Sequence, residues 1–362
     1  MRRKQDVMTN SLVPPPGWYP YGAASTTARW DGMGWTGEST SDSSVSSPPA
    51  WHRRPWRFLT HQWFWWIVAG MVVAIGFGII GNSGSGHWWV WPAAIGVVLV
   101  MTGIVTLVAP HLRFTELNRL PLTIVVGVVS GAVALGVATA IEGLLEPHLH
   151  LPFAVDLWLS GPIEETCKIA VPLILLIFAR WAFGDPRRGV LMVLISGSVF
   201  GVGEAIQYMG GGNGTNSHLL QAVTRPLTEI GHPLWASIAA AAIWLGAHRS
   251  GRIVTKVGFL GWLTAALLHS VHDGIGSFGQ HGSKNTVTDQ DFTLTDVVQE
   301  GVILNVFSIL VAVVSYLILR HVLRELVPPT AVATNAPRWR PRLVQWGVPE
   351  GRVAPVESAA AG

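Results

Sequence analysis

The sequence predicts an all-α fold: a polytopic membrane helix bundle of about eight transmembrane helices, with the N-terminus and C-terminus both cytoplasmic. Three observations lead there. Only 12% of the 362 residues are charged, against about 25% in an ordinary soluble domain. Apolar runs recur at 62–81, 88–109, 122–142, 161–183, 189–209, 229–248, 254–273 and 298–322, each close to the roughly 20 residues that cross a bilayer. Lys and Arg crowd into alternate connections between those runs, as they do on cytoplasmic loops. A disordered chain is excluded by this composition, and an ordinary water-soluble enzyme does not fit it. The single cysteine, Cys167, excludes an intramolecular disulfide framework and a CxxC metal knuckle. A net charge of +3 is uninformative about partners in a membrane protein, and no nucleic-acid partner is expected.

Residues 1–50 read as a cytoplasmic tail rich in Ser, Pro, Gly and Thr, with no signal-peptide apolar run. Within it, at about 14–40, Gly17-Trp18-Tyr19-Pro20 is followed by Arg29-Trp30-Asp31-Gly32 and Trp35-Thr36. This patch resembles a small Trp-rich module of bacterial membrane proteins, GWYPDP…RYWDGxxWT, with Tyr21-Gly22 where the module has Asp-Pro. Residues 39–50 form a flexible linker. Trp63, Trp65 and Trp66, then Trp88, Trp89 and Trp91, sit at span ends as an aromatic belt. Gly197 and Gly201 have the GxxxG spacing of close helix packing in lipid. Gly210–Gly214 reads as a flexible connector, since no phosphate-loop Lys-Ser/Thr follows. After about 327 the chain, with Arg338, Arg340, Arg342 and an Ala-rich end, reads as a disordered cytoplasmic tail to 362.

Orientation rests on the basic residues. Arg53, Arg54, Arg57, Arg113, Arg119, Arg180, Arg187, Arg188, Arg249, Arg252 and Lys256 fall on one side, against Arg225 and Lys284 on the other. The first side is cytoplasmic.

Against this background a few residues are expensive. A charge at membrane depth costs about 2.5–3.5 kcal/mol on insertion scales, yet Glu164, Glu165, Lys168, Glu204 and Asp273 all fall within the apolar runs, with His232 and His269 beside them. Alternating span directions place every one in the outer third of the membrane, so they can meet each other there. Glu164 and Glu165 precede Lys168 by four and three residues and can lie over its helix face. His269 and Asp273 are i,i+4, a spacing that lets both ligate one ion or one orient the other. Phe200 shares a face with Glu204 and can wall its site.

Other polar residues have plainer readings. His61, His87, His111, His148, His150 and His248 read as headgroup-level histidines, and Glu229 as a solvated residue at a span boundary. Glu142 and Glu146 read as interfacial and Cys167 as packing, while His272 is a substitute ligand for His269.

Glu164-Glu165-Thr166-Cys167-Lys168 resembles the EExxK motif of PrsW-type intramembrane proteases, relatives of the CAAX-processing proteases. Phe200-Gly201-Val202-Gly203-Glu204 resembles their FxxxE, His269-Ser270-Val271-His272-Asp273 their HxxxD, and His232 their additional histidine. The resemblance is good over about 150–275, and Lys168 and Glu204 favour the PrsW branch over prenyl-protein processing. It implies a transmembrane protease domain at 51–326 with its motif core at 150–275. It also implies a multi-pass cell-membrane enzyme that hydrolyses a peptide bond of a membrane-anchored protein near the outer face, as in first-site cleavage of an anti-sigma factor. By position, Glu164 or Glu165 would be the base that activates water, with Lys168 fixing the second carboxylate. Glu204, His232, His269 and Asp273 would hold a metal or orient water and oxyanion. Such a donor set suits Zn2+ with an open water position. A metal-free, glutamate-driven hydrolysis is equally compatible with the residues, and no HExxH helix is present.

Two other functions use the same features. An ion-coupled transporter could employ the carboxylates as a relay, but it predicts internal repeats or broken helices and has no need of two histidines at that depth. A non-catalytic scaffold would leave the buried acids an unexplained cost.

Overall fold

The computed structural model describes residues 17–20, 26–30, 35–41, 59–82, 87–114, 117, 119–149, 153–179, 183, 185–211, 218–281 and 294–327. The expected tail after 327 therefore lies outside the described residues, as does most of the linker. The Trp-rich segment contributes the strands: β1 (Gly17–Pro20), β2 (Thr26–Trp30) and β3 (Trp35–Ser41) form an antiparallel sheet in that order, with Gly17 opposite Trp30 and Trp30 opposite Trp35. The predicted all-α class thus describes the bundle and leaves out this small sheet.

The bundle runs α1 (Gln62–Asn82), α2 (Val90–Val108) with a closing 3-10 turn at Ala109–Leu112, α3 (Leu120–Leu149), α4 (Phe153–Phe178), α5 (Pro186–Met209), α6 (His218–Thr228), α7 (Gly231–Ser250), α8 (Lys256–His281) and α9 (Leu294–Leu326). Each of the eight expected spans lies on one long helix, with shifted ends. Among the described residues six stretches are long and apolar enough to cross a membrane, and α4 and α8 fall outside that set. Those two carry Glu164, Glu165 and Lys168, and His269 and Asp273, whose charges lower the hydropathy of their helices. Between the connector read at Gly210–Gly214, most of which lies outside the described residues, and the sixth span stands a helix that the apolar runs do not predict, α6.

Helix α7 sits at the centre. It is apolar all round, with Ala236, Ala239, Ala240, Ala241 and Trp244 buried, the pattern of a helix enclosed on every side. Helices α5, α8 and α9 pack around it, α4 packs against α3, α5 and α8, and α1 pairs with α2. The outward faces of α3 and α9 expose Val125, Val129, Val133, Val302, Ile303, Val306 and Leu310. So continuous an apolar exterior is stable against lipid tails and not against water.

Two local devices bring the polar residues together. Gly197 and Gly201 face the α6–α7 junction: a Cβ at Gly197 would stand 2.7 Å from the His232 carbonyl oxygen, and one at Gly201 3.1 Å from that of Glu229. The GxxxG pair therefore lets α5 approach the backbone that carries His232. In α4, Pro162 and Pro172 lack the N–H that would bond the carbonyls of Trp158 and Lys168. Ser270 Oγ of α8 donates to the Trp158 carbonyl at 2.9 Å, and Ser196 Oγ of α5 to the Lys168 carbonyl at 3.0 Å. Orphaned backbone acceptors in lipid need such partners, and here they tie α4 to both neighbours.

Ser196→Ala should cost about 1–2 kcal/mol of stability, above the ~0.6 average for interhelical bonds in membranes, because the Lys168 carbonyl has no intrahelical donor. In a Pro172→Ala background, where the backbone N–H returns, the same change should be nearly neutral. A double-mutant cycle on thermal unfolding in detergent measures this coupling, and strict additivity would disprove it.

Candidate active site

Lys168 is wholly buried, and its three N–H groups are all used. Nζ donates to Glu164 Oε2 at 3.0 Å, to Glu165 Oε1 at 2.8 Å and to His232 Nδ1 at 2.6 Å. The first two contacts follow from i,i+4 and i,i+3 spacing on α4, and the third joins α4 to the first turn of α7. The Phe200 ring closes the remaining side, its centroid 4.2 Å from Nζ, so it does wall the site as expected. Because an ammonium only donates, His232 Nδ1 is an acceptor and its proton resides on Nε2 when the ring is neutral.

His269 is arranged the opposite way. Its Nδ1 donates to Glu165 Oε1 at 3.0 Å, which leaves Nε2 facing Asp273 Oδ2 at 3.2 Å and Glu164 Oε2 at 3.5 Å. Trp235 of α7 stacks on this imidazole at 4.6 Å and is itself held by a hydrogen bond from Nε1 to Ser315 Oγ of α9 at 3.0 Å. Asp273 accepts from Ser160 Oγ at 2.9 Å and from His272 Nδ1 at 3.2 Å, while Ser308 Oγ bonds His272 Nε2 at 3.1 Å. His272, with both ring nitrogens engaged, supports Asp273.

The two imidazoles are 4.9 Å apart between centroids. Glu164 Oε2 lies between them, 3.5 Å from His269 Nε2 and 3.6 Å from His232 Nδ1. On the far side of His232, Nε2 stands 2.9 Å from Glu204 Oε2 and 2.8 Å from Glu229 Oε2. All seven residues singled out from the sequence, Glu164, Glu165, Lys168, Glu204, His232, His269 and Asp273, thus join one contact network drawn from α4, α5, α7 and α8. A match to a family model described as PrsW family intramembrane metalloprotease covers residues 115–318, more than half of the chain. The chain belongs to the PrsW family. Comparison with curated proteins and with solved structures returned no match.

As a PrsW-family member the protein is an intramembrane protease, a multi-pass membrane protein that acts on a membrane-protein substrate within the bilayer. Its site holds more than the family motifs. Glu229, read from the sequence as solvated, is 1% exposed and bonds Arg225 at 2.9 Å. Arg225, counted as a loop charge, lies on α6 with its guanidinium carbon 3.3 Å from the Tyr208 ring centroid, Nε on Gln221 at 2.8 Å, and NH1 3.8 Å from Glu204. The signal is present as Gln221, Arg225 and Glu229 at i,i+4 intervals, three residues short of His232, but a polar stretch between two apolar runs reads as a loop. Trp235 carries no signal in the sequence, because its partners His269 and Ser315 stand on other helices. Cys167 packs with Ala134, Ala138 and Phe200, as expected of a structural thiol.

The donors fit a metal ion. Among the described residues two groups have ligand atoms close enough to share one: Glu164, His232 and His269, all buried, and Glu204, Glu229 and His232, with Glu204 partly exposed. His269 Nε2 is buried and makes no aligned hydrogen bond, and with the Nδ1 proton held by Glu165 its lone pair is free for a cation. Charge gives the same answer. Glu164, Glu165, Glu204, Glu229 and Asp273 make five carboxylates against the two fixed cations Lys168 and Arg225. In a low-dielectric bundle that excess needs protons or a divalent ion.

Proposed function

We propose that this PrsW-family protease hydrolyses a peptide bond of a membrane-anchored protein near the outer membrane face, and that the cut is a first-site cleavage of an anti-sigma factor. The observation that supports it best is Glu164, a carboxylate with Oε2 at 3.5–3.6 Å from a nitrogen of each of two buried imidazoles. The outer-face placement rests on the basic-residue asymmetry. It becomes stronger once Arg225 is moved from loop to site, which leaves Lys284 alone opposing the cytoplasmic set.

Within this reading Glu164 is the base that takes the proton of the attacking water. Glu165, fully buried and bonded to both Lys168 and His269, is the second carboxylate of the pair and holds the His269 tautomer. Lys168 balances the pair and holds Glu164 aimed through their 3.0 Å contact. His232 Nε2–H, with Glu204 beside it at 2.9 Å, is the N–H donor for the oxygen that becomes negative as the carbonyl is attacked. His269 Nε2, whose Nδ1 proton Glu165 holds, and Asp273 would hold the metal, which when bound supplies Lewis-acid polarisation and a more acidic water.

The test uses full-length protein in proteoliposomes with a tagged single-span substrate. Fragment masses should place the cut in the outer third of the substrate span. A chelator should abolish cleavage and Zn2+ should restore it. A cut at the cytoplasmic side overturns the placement, and cleavage unaffected by exhaustive chelation overturns the metal.

A further inference from the structure

At the end of the bundle away from the catalytic residues, α9 carries Tyr316, Arg320 and Arg324 at i,i+4 intervals, so the three side chains share one face of the helix. The 3-10 turn that closes α2 packs against α9 here, with Leu112, Leu319 and Leu323 buried in one cluster. That packing sets His111 beside the basic face. Its Nε2 and the Tyr316 hydroxyl share a hydrogen bond of 2.9 Å, and the charges of Arg320 and Arg324 act on both groups. Arg320 and Arg324 stand 12 and 16 residues beyond Ser308, which bonds His272. At about 1.5 Å of rise per residue they lie roughly 18 and 24 Å along α9 from that contact.

Arg320 Nε is buried and has no hydrogen-bond partner among the described residues. A guanidinium N–H cut off from water needs an acceptor. The carboxylate next to Arg324 in sequence, Glu325, is already paired with Arg249 at 2.7 Å. Arg324, in the last turn, complements the helix C-terminus; Arg320, one turn further in, has no such role.

The donors gathered here suit a phosphate. Two guanidinium groups offer planar forks that match phosphate oxygens. The His111–Tyr316 pair adds a further donor in either tautomer: the Tyr316 O–H when Nε2–H donates to it, or His111 Nδ1–H when the hydroxyl donates to Nε2. The cluster also sits at the end of α9 that the basic residues mark as cytoplasmic, at the depth where basic pockets between spans meet anionic headgroups.

We propose that His111, Tyr316, Arg320 and Arg324 form a phosphate-binding site remote from the catalytic centre, and that its occupant is the phosphodiester of an anionic lipid headgroup.

The experiment titrates delipidated, full-length protein in detergent with phosphatidylglycerol, with phosphatidylcholine of the same chains and with inorganic phosphate, and counts bound molecules by native mass spectrometry. Wild type should hold a first phosphatidylglycerol more tightly than any further one, and more tightly than phosphatidylcholine, whose ammonium cancels the headgroup charge. Arg320→Gln and Arg324→Gln should each weaken that first site about fivefold, the worth of one basic residue at an anionic membrane surface. Tyr316→Phe, which keeps the ring, should weaken it with no change of charge. Arg252→Gln removes an exposed charge from the same cytoplasmic set and should bind as wild type does. Unchanged unfolding midpoints in lipid-free detergent show that each variant is folded. If Arg252→Gln loses as much affinity as Arg320→Gln, the lipid responds to diffuse surface charge and the site is wrong. Wild-type affinity in both Arg320→Gln and Arg324→Gln overturns it as well. If inorganic phosphate binds and phosphatidylglycerol does not, the phosphate site stands and the lipid assignment is wrong.

Discussion

Glu164→Gln should lower the turnover of a single-span substrate by about 100- to 10,000-fold, the range for removing a positioned general base, while leaving the bundle folded. The amide keeps the shape of the side chain and one acceptor for Lys168, so little stability is lost. Glu165→Gln should be milder, about 10–100-fold, as for an outer-shell residue that orients a reacting group. Its Oε1 accepts from Lys168 and from His269 Nδ1, and an amide oxygen still accepts from both. The measurement is kcat and KM for each variant in proteoliposomes, with kcat carrying the loss in Glu164→Gln. A Glu165→Gln enzyme more impaired than Glu164→Gln would exchange the two roles. Undiminished cleavage by both would remove the carboxylate pair from the mechanism.

The largest stability effect is expected at Lys168. Lys168→Met deletes the one cation that touches Glu164, Glu165 and His232 together, and it leaves two adjacent carboxylates facing each other in a dry interior. Removing one partner of a buried ion pair costs about 3–5 kcal/mol. Both partners here are almost inaccessible, at 0% side-chain exposure for Lys168 and Glu165 and 8% for Glu164, so solvent screening does not reduce the figure. Pairing Lys168→Met with Glu165→Leu removes one charge of each sign and should recover most of that stability. Activity should stay absent, because His269 then has no acceptor for its Nδ1 proton. Unfolding midpoints in detergent, read beside cleavage, separate the two effects. A Lys168→Met protein as stable as wild type would show that the triad does not carry the fold at this point.

Much of the site was legible because membranes make polar residues conspicuous. Glu164, Glu165, Lys168, Glu204, His232, His269 and Asp273 interrupt runs that are otherwise apolar, and alternating span directions were enough to bring them to one depth. Arg225 escaped because it stands ahead of the run at 229–248, and Glu229 because it opens that run, where a carboxylate reads as solvated. A polar segment between two spans reads as a loop whether it is solvated or folded inward. The amphipathic α6 lies against α1, α9 and α5, and its burial depends on those distant helices. Ser196 and Ser270 were equally silent. Only when α4, α5 and α8 are side by side do their hydroxyls meet the carbonyls that Pro172 and Pro162 leave open.

The sequence by itself determined the helical membrane class, the approximate spans and the seven motif residues, since hydropathy and i,i+4 spacing are properties of a single segment in its solvent. The tertiary structure decided the division of labour. It placed Glu164 between the imidazoles and Glu165 behind one of them, and it gave the two histidines opposite tautomers. It also turned Glu229 inward on Arg225. These are distances of about 3 Å between atoms on different helices, and only helix packing determines them.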